Sequence, residues 1–338
     1  MERDRFKAID LFAGCGGLSQ GLVEAGFDVV AAIEIGKEQA ETYRYNHPTT
    51  LVIQEDIQDI TYYIILEKLG KTSQEIDLLA GCPPCQGFSS LRTLNGRLSN
   101  EDSRNDLLFE FVRLVKEARP KSVFLENVPS LANNYRFSLF VLEMEQLGYI
   151  GNSRIINVID YSVPQHRKRL VYIAGKGFRI PFPEKEEKKL IVKDVIGSMS
   201  LPGTSGDPLH DWPEHHDEKV HKIIASIPQN GGSRKSLPSS LKLACHEKTN
   251  GFKDVYGRMS WDAPAPTITG GCVNPSKGRF LHPERNGAIT LREAALLQGF
   301  PANYSFICNN KGKIALMIGN AFPPPAAKRI GKAIIDSF

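Results

Sequence analysis

Residues 7–34, KAIDLFAGCGGLSQGLVEAGFDVVAAIE, decide the fold. The segment opens and closes on short apolar runs, KAIDLFA (7–13) and DVVAAIE (28–34), which read as buried strands. Between them GLSQGLVEAGF has the spacing of an amphipathic helix, with Gly26 placed to end it. Strand, glycine-rich turn, helix and strand together make a βαβ unit, whose two strands run parallel. The pattern repeats. IDLLAG (76–81), SVFLENV (122–128) and RLVYIAG (169–175) read as further strands, and TLVI (50–53) as a short one. Ahead of SVFLENV, Leu108, Phe111, Leu114, Val115 and Ala118 fall at helical spacing. The implied fold class is α/β, a doubly wound, mostly parallel sheet, with ligands bound outside the carboxyl ends of its strands.

The alternation stops at PFPEKEEKKL (181–190), a linker-like cluster of proline and charge. Beyond it glycine, proline and serine are frequent and strands cannot be assigned. Order returns at Thr290, where TLRE forms a capping box for the helix REAALLQ, closed by Gly299. The last stretch, PAAKRIGKAIIDSF, is helical, with Ile330 and Ile334 on one face that should pack back on the sheet. Two domains follow: residues 1–180 with 318–338, and a second, smaller one over 181–317.

Bulk properties narrow the class. The chain has 338 residues, 41% of them apolar, enough for a sizeable core. It has no run of 18 apolar residues, so no membrane span is expected, and its start lacks a signal-peptide layout. Six cysteines in this length are no disulfide framework, which points to a reducing compartment. Net charge is +4, but residues 234–285 alone hold nine Lys/Arg against four Asp/Glu. Such a segment suits a phosphate backbone.

The loop DLFAGCGGLSQG (10–21) brings Gly14, Gly16 and Gly17 where a ligand can approach the backbone. It is not GxGxxG, because Ser19 occupies the third glycine's place, so a pyrophosphate is disfavoured. Glu34 ends the second strand twenty residues after Gly14, where an acid can grip ribose hydroxyls; Asp56 follows the third strand. GCPPCQGFSS (81–90) holds Cys82 and Cys85 around two prolines, at the end of another strand. A metal clip, a redox pair and a mounting for one thiol all fit a CxxC spacing. Pro83 and Pro84 stiffen the turn, which favours holding one side chain still. Zinc would need two more ligands, and Cys15, Cys245, Cys272 and Cys308 are isolated, so no metal is expected. HDWPEHHDEKVH (210–221) reads as a polar, partly helical surface.

Taken in order, DLFAGCGG, GCPPCQGFS, ENV (126–128), QHRKR (165–169), RMSWDAPAPTI (258–268) and IGNAFPPP (318–325) resemble the DNA (cytosine-5)-methyltransferases of bacterial restriction-modification systems. The resemblance implies an S-adenosylmethionine-dependent methyltransferase fold for 1–180 plus 318–338, and a target-recognition domain in 181–317. It makes Cys85 the nucleophile, Glu126 and Arg169 the groups on the base, and Arg167 a residue that orders the site. It puts Phe12, Gly14, Gly16, Glu34, Asp56, Ile57, Pro83 and Asn320 around S-adenosyl-L-methionine. The implied partner is double-stranded DNA, with a cognate restriction endonuclease in the same system and a bacterial, cytoplasmic, monomeric protein.

Chemistry demands the same groups. Cytosine C5 becomes nucleophilic only after a thiolate adds at C6, and an acid must meet N3 as negative charge develops there. Glu126 suits the second task if a dry pocket raises its pKa. Three other readings compete: a tRNA methyltransferase of the same fold, a DNA-binding relative without catalysis, and a nicotinamide oxidoreductase. The glycine spacing disfavours the last.

Overall fold

The computed structural model describes residues 5–84, 107–242 and 254–338. Seven strands form one sheet: β1 (Lys7–Leu11), β2 (Asp28–Ile33), β3 (Leu51–Ile53), β4 (Leu78–Gly81), β5 (Ser122–Asn127), β6 (Tyr149–Asn157) and β7 (Lys168–Lys176). Their order is β3-β2-β1-β4-β5-β7-β6. β1 to β5 run parallel, while β7 pairs antiparallel with both β5 and β6. The sheet is therefore mostly parallel, with one reversed strand. That reversal brings the beginning of β7 level with the carboxyl ends of the parallel strands.

Alternation along the strands builds two cores. Ile9, Leu11, Leu79, Val123 and Leu125 face one side, against α4 (Leu107–Ala118) and α5 (Tyr135–Gln146). The spacing seen in the sequence puts Leu108, Phe111, Leu114 and Val115 of α4 in the interior. Ala8, Leu78, Ala80 and Phe124 face the other side, against α1 (Gly17–Ala25) and α10 (Pro324–Ile335). Each buried large side chain contributes about 1.5–3 kcal/mol.

α1 ends where Gly26 adopts φ 114 and its N–H caps Leu22 and Val23. Its seam with α10 is made of small residues. A methyl on Gly21 would collide with the Pro324 carbonyl oxygen and Ala327, so glycine is what lets the two backbones approach. Ile330 and Ile334 of α10 are fully buried.

Past 181 the described residues form no strand of the sheet, only helices, turns and isolated β-bridges such as Arg258 with Leu281. One cluster joins Cys15 to α6 (Val192–Ile196), α8 (Leu291–Gln298) and α9 (Lys311–Asn320). A smaller one gathers Ile223 and Ile224 of α7 (Glu218–Ala225) with Leu237, Tyr256 and Leu281. α8 starts on the Thr290 capping box and stops at Gly299, φ 90, as the sequence indicated. The histidine-rich stretch divides: His210 is buried between Ser200 and Thr290, while His216 pairs with Glu214 nearer the surface.

Candidate active site

A cavity of about 820 Å³ opens at the carboxyl ends of β1, β2, β4 and β5 and the start of β7. Its size lies in the range of cofactor and substrate sites. Phe12, Gly14, Glu34, Asp56, Ile57, Pro83, Glu126, Arg169 and Asn320, all expected from the sequence, line it. Gly16 and Arg167 do not, and Cys85 lies outside the described residues.

On one flank, Phe12 leaves β1 at φ 58, a left-handed conformation that side chains rarely adopt and that clusters at functional sites. Gly14 follows at φ 56. Its N–H donates to Glu34 Oε2 at 2.8 Å, and Gly36 N–H donates to Oε1 at 2.8 Å. The carboxylate is thus braced by backbone, not by a cation. Burial raises its pKa, and the two N–H groups partly oppose that. Asp56 caps the turn Ile57–Asp59, accepting from Gln58 N–H at 3.0 Å. Gly16 lies between the cavity-lining Cys15 and Gly17, and a Cβ there would strike His47 and the Tyr304 hydroxyl, so its lack of a side chain allows close packing beneath the loop.

On the opposite flank, Glu126 is buried on β5 and accepts from Arg169 Nε at 2.8 Å. A cation, not only a dry wall, is therefore the nearest charge to this acid, which the sequence reading did not anticipate. Proton donation to a base requires Glu126 to be drawn from this pair or reached through its other oxygen. Arg167, two residues earlier, points the other way along the same approach to β7. Its guanidinium is buried and donates to the carbonyls of Ile268, Gly319 and Ala321. It thereby fixes the turn carrying Asn320, and touches no ligand space.

Cys82 follows β4, beside Glu126 by the register that pairs Gly81 with Leu125. Burial, then the carboxylates of Glu126 and Asp10, push its thiol well above the ordinary range, so it stays protonated. That removes Cys82 as a ready nucleophile. It is not simply a packed residue, however, since it also lines the cavity.

Three residues with structural roles here were given none from the sequence. Asn127 donates to the Pro83 carbonyl at 3.1 Å and so ties the Pro-Pro turn to β5. Gln298 donates to Ile318 and Ala321, and accepts from Gln165, in a buried amide pair. Asp10 sits inside β1, fully buried; a carboxylate in an apolar strand was a visible signal.

The basic segment is less free than its composition suggests. Arg258 is buried, Arg279 bonds the carbonyls of Gly231, Gly232 and Arg258, and Arg285 pairs with Glu293. Lys235, Lys242 and Lys277 remain exposed, while Lys248 and Lys253 lie outside the described residues.

The sequence profile of the C-5 cytosine-specific DNA methylases matches residues 6–336. The Type II methylase M.HgiDII of Herpetosiphon aurantiacus is 38% identical over 96% of this chain and 94% of its own length. The Type II methyltransferase M1.HphI of Haemophilus parahaemolyticus is 35% identical over 97% and 86%. Among solved structures, a prophage-encoded E. coli protein with a provisional assignment as a DNA modification methyltransferase aligns with TM-score 0.77 and 26% identity, covering 98% of this chain and 99% of that one. The S. pombe Dnmt2 methyltransferase shares the fold, with TM-score 0.63 and 18% identity, over 98% and 99% of the two chains.

Proposed function

The chain belongs to the C-5 cytosine-specific DNA methylases, and from that premise we propose how its cavity methylates cytosine in duplex DNA. It is a DNA (cytosine-5-)-methyltransferase of the Type II restriction-modification kind. One observation supports the reading most: a single cavity holds a ribose-type flank, Glu34 and Asp56, opposite an acid–cation pair, Glu126 and Arg169.

The first flank fits S-adenosylmethionine. Two carboxylates at successive strand ends suit ribose hydroxyls, Phe12 and Ile57 offer apolar surface to an adenine ring, and Gly14 leaves the backbone open. When bound, the cofactor supplies an electrophilic methyl. The chain's residues do the rest. The target cytosine leaves the duplex and enters between Glu126 and Arg169. Cys85 adds through its thiolate to C6, Glu126 gives a proton to N3, and Arg169 bonds O2. The added thiolate makes C5 electron-rich, so C5 takes the methyl; loss of the C5 proton to water, return of the N3 proton to Glu126 and expulsion of the thiolate then restore the neutral ring. Arg167 and Asn127 act at one remove, by fixing the Asn320 turn and the Pro-Pro turn.

Residues 181–317 serve as the target-recognition domain, and 1–180 with 318–338 as the catalytic one. The enzyme works as a monomer and protects host DNA from a cognate endonuclease. Duplex DNA with 5-fluorocytosine at the target tests the mechanism, because fluorine cannot leave as a cation. With S-adenosylmethionine present, a covalent adduct should survive denaturing electrophoresis. Cys82→Ser should still trap and Cys85→Ser should not; Glu126→Gln should trap about 10²–10⁴-fold more slowly. A band from Cys85→Ser but not Cys82→Ser would reverse the nucleophile. No band from an enzyme that methylates ordinary DNA would overturn the covalent route, and a tRNA substrate methylated instead of DNA would reassign the target.

A further inference from the structure

The methyl donor and its product differ by one methyl and one positive charge: a sulfonium becomes a neutral thioether. Given the cofactor reading above, on which this inference rests, the strand order locates that charge. Glu34 stands beyond β2 and Glu126 on β5, and β1 and β4 lie between them. A ligand with its ribose at Glu34 and its methyl at a base beside Glu126 carries its sulfur over β1 and β4.

Under that span lies Asp10, the one carboxyl on β1 or β4. It is fully buried, two residues before cavity-lining Phe12, and on the sheet face shared with Ala80 and Phe124. Ser19 Oγ donates to its Oδ2 at 2.6 Å, and Tyr43 donates in turn to Ser19 at 2.6 Å. Its Oδ1 has no hydrogen-bond partner, and no described lysine or arginine pairs with it. The titratable groups around it are Glu34 just after β2, Tyr43 from α2 (Lys37–Asn46), Cys82 after β4, and Tyr304 with its neighbour His47. None is a cation at neutral pH. Burial pushes the Asp10 carboxyl up to about 7, with Ser19 pulling it down and Glu34 adding to the rise.

We propose that Asp10 sets the preference of the cavity for the charged donor over the neutral product. Ionised, it draws the sulfonium from beneath; once the methyl has gone, that attraction is gone too, and the product is held less tightly. Protonated, it treats the two alike. Asp10 is a specificity-determining residue that acts through the field, without touching the base.

Calorimetry with S-adenosylmethionine and S-adenosylhomocysteine tests this without turnover. In the unmutated protein, preference for the donor should grow by about tenfold between about pH 5.5 and 8.5, as an added charge at this depth implies, with a midpoint near neutrality. In Asp10→Asn the preference should be small and independent of pH. Ser19→Ala keeps the carboxyl but removes the bond that lowers its pKa, so its midpoint should move to higher pH. A pH-independent preference in the unmutated protein overturns the proposal. So does a pH dependence that survives in Asp10→Asn, which would assign it to Glu34. If Asp10→Asn does not fold, an unmoved midpoint in Ser19→Ala is the overturning result. Failure of the unmutated protein to bind either compound would instead refute the cofactor reading beneath it.

Discussion

Two buried arginines, Arg167 and Arg258, show how differently the two parts of this molecule are held together. Arg167 sits just before β7 and fastens the carbonyls of Gly319 and Ala321 at the end of α9 to that of Ile268. Arg258 sits in the strandless part and bonds the carbonyls of Ile224, Ile227, His282 and Arg285 together with the Asn286 side chain. Within the sheet, backbone groups satisfy one another and side chains need only pack. In the strandless part, backbone pairing is reduced to isolated bridges such as Arg258 with Leu281, and a buried cation supplies donors to carbonyls those bridges leave over. The strandless part thus adds a polar anchor to its two apolar clusters, while the sheet combines apolar contacts with a continuous ladder.

The strongest way to break this contrast is Arg258→Met. It leaves five acceptors without their donor and should cost about 3–5 kcal/mol. Hydrogen exchange should rise across residues 220–290 while β1, β4 and β5 keep their protection. A loss below about 1 kcal/mol, or one spread evenly over the sheet, would show that the strandless part does not depend on its anchor.

A middle-sized effect comes from two histidines, one in each part. Burial lowers His47, under the glycine loop, to about 4, and His282, beside Glu293, to about 4. An unfolded histidine titrates near 6.5, so the unfolded chain binds more protons between about pH 6.5 and 4. Stability is therefore lost as pH falls through that window, by about 1–3 kcal/mol per histidine. Asp10, raised to about 7, has the opposite slope over much of the same range. The diagnostic quantity is thus the difference from the parent: His47→Gln and His282→Gln should each remove part of the acid sensitivity in urea titrations at pH 7.5 and 5. Equal slopes in parent and variants would count against both assignments.

The smallest expected change is at Thr290, whose hydroxyl caps α8 and faces His210. Thr290→Ala should lower stability by about 1 kcal/mol in thermal melts. A loss above about 3 kcal/mol would mean that the start of α8 props the whole strandless part.

What the sequence disclosed follows the same division. β1, β2, β4, β5 and β7 announce themselves as apolar runs because both their faces are covered. β6, YIGNSRIIN, does not: it is an edge strand, exposed over most of its length, and no burial pattern marks it. With β6 unseen, the reversal of β7 was hidden as well. The ten residues between Asn157 and Lys168 are too few for a parallel crossover, so the direction was readable only once both strands were known. Glycines and acids at strand ends were legible because their spacing is local. The close packing at Gly16, the anchoring by Arg167 and the Arg169 grip on Glu126 depend on residues far away in the chain, and spacing carries no trace of them.

The seam between α1 and α10 bears on how the molecule comes into being. α1 is made long before residues 324–335, which cover its apolar face. Closing that contact spans about three hundred residues, whereas β6 meets β7 across the ten residues between Asn157 and Lys168. During synthesis the β6–β7 ladder can form at once, and the glycine loop rides on a helix whose back stays bare until the closing segment has left the ribosome. The part of the cavity wall formed by the glycine loop is thus fixed only after residues 324–335 have been made.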